Sequence, residues 1–149
     1  MSALLIAAEQ REINGRVYAI RPLSLAESRK VFSVLGKYLA AYRDGESFED
    51  GLGATLSLHS SGIISEDSMD KLVAVLGKTS TVDLGGDRVV SLDTEERRSG
   101  AFMGRFSDMY LWIDECMRIS FADVIAKMSG ALKRAQERAT PSQGNPDSE

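Results

Sequence analysis

A single cysteine (Cys116), a single histidine (His59), three prolines and no long apolar run set the first limits on this chain. One cysteine cannot form an intrachain disulfide and is compatible with a reducing compartment. No Cys/His or Ser/His/Asp pairing finds local support around His59, and one His with one Cys lacks the clustered spacing of a metal site. No stretch approaches the ~18 apolar residues of a membrane helix. The apolar start, Ala3 to Ala8, lacks the basic flank and the length of a secretory signal. Positive charge is also in the minority: 18 Lys and Arg against 22 Asp and Glu give a net charge of -4. A general nucleic-acid binder needs a basic face to neutralise phosphates, so that class is disfavoured. These absences together predict a cytoplasmic protein that engages neither nucleic acid nor membrane.

What remains is ordinary globular material: 149 residues, 43% hydrophobic and 27% charged. That is enough chain to bury a core without staples. The patterning predicts an α+β fold, mainly α-helical, with one domain over residues 1–139 and a disordered Pro/Gly/Ser-rich tail over 140–149. The best-specified stretch is Glu12 to Tyr42. Asn14-Gly15 supplies the positive φ values of a type I′ turn and predicts a hairpin over 9–21, pairing Glu9–Ile13 with Arg16–Ile20. Pro22 ends the second strand. Ser24 with Glu27 forms a capping box, opening a helix over about 24–43 whose apolar face is Leu25, Val31, Phe32, Leu35, Tyr38, Leu39 and Tyr42.

Further along, Phe48, Leu52, Leu56 and Ile63 sit near helical spacing, predicting a weakly specified helix over 48–63 despite several Gly and Ser. Ser65 caps a better helix over 66–77, with Met69, Leu72, Val73 and Leu76 on one face. Thr81 to Leu92 reads as a second hairpin joined by Gly85-Gly86, with a bare loop as the competing reading. Asp93 to Gly100, charged and polar, reads as a connector. Helices over 101–118 and 121–138 follow, split at Ser120, which with Asp123 resembles a variant capping box.

Candidate chemistry is sparse. His59 reads as a structural polar residue and Cys116, on an apolar helix face, as a small buried hydrophobe. Glu66, Asp67 and Asp70 sit where a helix N-terminus favours negative charge, which outweighs a catalytic dyad. No phosphate loop or dinucleotide fingerprint is present. The reading is non-enzymatic, with no catalytic, metal or cofactor residues. The one sharper feature is the stripe from Phe102 to Met117, rich in aromatics and methionine. It is either core, or in part an adaptable groove for a partner. In the second reading the groove consists of Phe102, Phe106, Met109, Tyr110, Trp112 and Ile113, with Tyr38 and Tyr42 contributing.

The entry Tyr18-Ala19-Ile20-Arg21-Pro22-Leu23 into a capped helix resembles the tail assembly chaperones of long-tailed bacteriophages. So do the segment Val90 to Leu92, the helical run Phe102-x-Gly104-Arg105 to Trp112-Ile113, and Phe121-Ala122-Asp123-Val124 before a polar tail. The resemblance implies a non-enzymatic protein of the infected cell's cytoplasm. Such a protein binds the tape measure protein as repeated copies, recruits tail tube subunits and is absent from the mature virion. It also implies that a frameshifted longer form would be joined at the tail. A structural connector or tail-completion protein retained in the virion, a cytoplasmic secretion chaperone, and a small regulatory binding module are the competing readings.

Overall fold

The computed structural model describes residues 8–43 and 53–144, with the backbone alone for residues 39, 41–43, 53–54 and 128–144. Among them lie four strands and six helices, an α+β fold in which helix predominates. Strands β1 (Glu9–Ile13) and β2 (Arg16–Ile20) form the expected hairpin in the expected register, Ile13 opposite Arg16 and Glu9 opposite Ile20. Asn14 and Gly15 turn it with φ of 49° and 87°, as a type I′ turn requires. Alternation then fixes the faces: Tyr18 and Ile20 are buried while Val17 faces outward.

Strand β2 pairs on its other edge with β3 (Ser80–Asp83), and β3 pairs with β4 (Val89–Ser91), giving an antiparallel sheet of order β1-β2-β3-β4. The second hairpin is therefore real, but its turn is wider than Gly85-Gly86 alone. Gly85, Gly86 and Asp87 all adopt positive φ, closed by a Leu84 N–H to Arg88 carbonyl bond of 2.7 Å. Asp83 Oδ1 accepts from the Gly85 N–H and stabilises the bend.

The capping box forms as the sequence predicts. Ser24 Oγ accepts from the Glu27 N–H, and Glu27 Oε1 accepts from the Ser24 N–H. Arg21 adds a two-pronged contact to Glu27 at 2.9 and 3.0 Å. Hydrogen bonding from Arg21, partly offset by burial, holds the Glu27 carboxyl at about 2 instead of 4.5. Because the folded value is depressed, the folded state binds fewer protons, and this stabilisation is complete above pH 4.5 and lost as the pH falls through about 2. The stability advantage of the wild type over Glu27→Gln is thus expected to shrink across that window in urea melts. An advantage independent of pH would contradict it.

The single helix expected over 24–43 is in fact two, α1 (Leu25–Lys30) and α2 (Phe32–Arg43), broken where Val31 leaves helical geometry at φ -108° and ψ 15°. Val31, Val34, Leu35 and Tyr38 turn inward, whereas α1 buries no residue and Leu25 and Phe32 face solvent. The four inward residues span an arc of roughly 100° around the helix, and Phe32 falls outside it. Helix α3 (Gly53–Ser60) stops before Gly62, at φ 86°, leaving Ile63 exposed. Phe48 and Leu52 lie outside the described residues. Helix α4 (Glu66–Gly77) matches its expected bounds and its Ser65 cap.

The connector expected at Asp93 to Gly100 is a helix, α5 (Glu95–Phe102), capped by Thr94, whose hydroxyl accepts from the Arg97 N–H. Met103, Gly104 and Arg105 then turn the chain, with Gly104 at φ 72°, into α6 (Phe106–Gly144). The helix expected from 101 thus begins five positions later in a new direction. The split expected at Ser120 is present as a kink: Phe121, at φ -123° and ψ 25°, is non-helical and joins two helical stretches of α6, but the Ser120 hydroxyl accepts from the Leu23 N–H at 2.9 Å and does not cap the second stretch. Thr140 to Gly144, expected in the tail, belong to α6, and residues 145–149 lie outside the described set. One core cluster joins the inner sheet face, α2, α3, α4 and α6.

Candidate partner-binding groove

Helix α6 is packed on two sides, by the sheet and by α2 with α3. That accounts for where the candidate groove residues fall. Trp112 and Ile113 are fully buried, and Tyr38 and Tyr110 nearly so. Trp112 Nε1 donates to Ser80 Oγ at 2.9 Å, and its ring lies 5.5 Å from that of Phe102. These four residues are core and offer no surface to a partner. The Tyr42 side chain lies outside the described residues.

Polar groups carried inward by this packing are bonded to one another. Asp114 Oδ1 accepts from the Tyr38 hydroxyl and from the Thr55 hydroxyl and N–H, tying α2, α3 and α6 together. Burial pushes the Asp114 pKa up, against the pull of the Thr55 and Tyr38 bonds, and Oδ2 has no hydrogen-bond partner among the described residues. His59 bridges Tyr110 Oη and Glu66 Oε1, both at 2.9 Å. Burial pushes the Cys116 thiol up to about 12, so it is a packing group and not a nucleophile. Among the described residues no group of three or more His, Cys, Asp or Glu could hold a metal, and no helix is long and apolar enough to cross a membrane.

The remaining three candidates, Phe102, Phe106 and Met109, do come together, in a groove of about 600 Å³ between α4, α5 and the start of α6. Helix α4 contributes Asp70, Val73 and Ala74; α5 contributes Glu95, Arg98 and Ser99 beside Phe102. Met103, in the corner between α5 and α6, completes it. Met103 and Phe106 are 79% and 67% exposed, a strongly solvated position for two large apolar side chains. Phe106 is held edge-on to Tyr110 with ring centres 5.0 Å apart. The corner itself is fixed to the hairpin tip: Asn14 Nδ2 donates to Asp108 Oδ1 at 2.6 Å, and Arg105 donates to the Asn14 carbonyl and to Asp108.

The groove carries an acidic rim. Neither the Asp70 nor the Glu95 carboxylate has a hydrogen bond or ion pair among the described residues. Arg98, between them, donates instead to the Leu92 carbonyl at 3.0 Å, and burial lowers its pKa while Glu95, Asp93 and Asp70 oppose the shift. Sequence reasoning placed Met103 in the stripe without choosing it for the groove, read Asp70 as a helix N-terminal carboxylate, and missed Glu95 because it missed α5. The Thr94-Glu95-Glu96 start, a cap followed by acidic residues, was the available signal. No protein-family model, curated protein or solved structure matches this chain.

Proposed function

We propose that this protein is a non-enzymatic assembly chaperone that holds a helical segment of a client in the α4–α5–α6 groove. The observation that carries this reading is the exposure of Met103 and Phe106 above an apolar floor, between two unpaired carboxylates. Flexible methionine and aromatic side chains repack around the apolar face of an amphipathic helix. The free carboxylates favour a client whose flanking residues are basic. The resemblance of the Tyr18 to Leu23 entry and the Phe102 to Ile113 run to phage tail assembly chaperones supplies the client class. In that reading the protein works in the host cytoplasm, binds the tape measure protein, brings tail tube subunits to it and leaves before the virion is complete.

Co-expression with a tape-measure-like protein tests this. Phe106→Asp is expected to weaken co-purification by about tenfold or more, since a charged group replaces a central apolar contact. Its thermal melt should match the wild type because the position is exposed. A client that co-purifies equally with Phe106→Asp and Met103→Asp removes the groove from the reading. No client binding at all, or retention of the protein in purified particles, removes the chaperone assignment.

A further inference from the structure

A second exposed patch lies on the outward face of α1 and the start of α2. Leu25 and Arg29 on α1 and Phe32, just past the break at Val31, are all exposed. Leu25 and Phe32 are 78% and 68% exposed. Arg29 and the adjacent Lys30 make no side-chain hydrogen bond or ion pair among the described residues. Gly36, one turn beyond Phe32, has open space where a Cβ would stand and allows close approach. On a chain of net charge -4 this is a cationic, apolar helix face.

The groove has the opposite charge: Asp70 and Glu95, which make no hydrogen bond or ion pair among the described residues, flank Arg98 there, against Arg29 and Lys30 on the α1 face. One molecule cannot join its own two patches. Phe106 opens α6 in the groove, while Ser120 holds Leu23, next to α1, roughly 21 Å further along the same helix. We infer that the α1 face of one copy docks in the α4–α5–α6 groove of the next. Because the two surfaces differ, the contact is head-to-tail and each copy keeps one free end, so association continues into open chains or rings. The inference goes beyond the client-binding reading and stands without it. Where both hold, a client helix and the neighbour's α1 face compete for one groove.

Sedimentation velocity of the full chain over a concentration series is the test. The wild type is expected to grow in mass with concentration, and added salt should reverse the growth by screening the charge pairs. An α1-face variant, Arg29→Glu with Phe32→Asp, and a groove variant, Asp70→Lys with Met103→Asp, should each stay monomeric. Their apparent association constants should fall at least about tenfold, with unchanged melting curves because all four positions are on the surface. Mixed in equal amounts, the two variants should form a two-chain species and nothing larger, since each retains one intact half of the contact. A wild type that remains monomeric at every concentration overturns the inference. So does association that survives in either variant, and so does a mixture that fails to pair or grows beyond two chains.

Discussion

Trp112→Ala is expected to lower the stability of this protein by about 4 kcal/mol, the cost of removing a fully buried large aromatic and leaving a cavity. Three losses combine. The indole's tilted ring contact with Phe102 is lost, its contact area with the sheet and α6 core disappears, and Ser80 Oγ loses the Nε1–H it accepts. A domain of this size has about 5–15 kcal/mol in total, so the variant should show a much lower urea midpoint or fail to fold. Phe106→Ala, four residues from Tyr110 on the same helix, should change stability by only about 0.5 kcal/mol because its ring is largely solvated. The contrast separates the two halves of the aromatic stripe. A Trp112→Ala protein of native stability would contradict the packing described for α6. Any loss of client by that variant reports unfolding, so Phe106 and Met103 are the informative positions for binding.

Gly77→Ala is expected to destabilise by about 3 kcal/mol, through overpacking. A Cβ at this position, at the C-terminal end of α4, would stand 2.1 Å from the Leu92 carbonyl oxygen and 2.8 Å from an Arg98 guanidinium nitrogen. The side chain of Arg98 can swing aside, but the Leu92 carbonyl is main chain. Relief therefore requires α4 to move away from the strand that leads into α5. Helix α4 and the α5 that this strand leads into are two of the three walls of the groove, so the variant should also weaken any occupant even where it remains folded. The checks are a chemical melt and sedimentation of the variant beside the wild type. An alanine accepted with no shift in midpoint would mean that α4 and the β4 exit are less closely apposed than described.

Much of the architecture was readable wherever a feature depends on a few adjacent residues. Asn14-Gly15 sets its turn by backbone conformation, Ser24 with Glu27 closes a cap by reciprocal hydrogen bonds, and Ser65 starts α4 for the same reason. Helix α5 was not readable from hydrophobic pattern because Glu95, Glu96, Arg97 and Arg98 dominate it and only Ala101 and Phe102 are buried. The groove was readable only in part, since it is built where three helices meet and no single periodicity encodes it. Phe102, Phe106 and Met109 were anticipated. Tyr38, Tyr110, Trp112 and Ile113 were not separable from them, because the width of an apolar stripe does not tell how many neighbours a helix has. Ser120 is a similar case: the residue marks a junction, but its hydroxyl serves the Leu23 amide and not the turn that follows it.

The sheet order carries a consequence for how the chain reaches its fold. The β1–β2 hairpin is local and closes within about 1–10 μs. The strand that completes it on the other side is remote: Ile20 pairs with Ser80, roughly sixty residues later, a separation that slows folding. On a ribosome adding about 5–20 residues per second, the open edge of β2, with Tyr18 and Ile20 uncovered, waits several seconds for β3. Until then it is a template for pairing with any other extended chain. Even then the core stays open, because Trp112 of α6, which donates to Ser80 of that strand, is made about thirty residues later still.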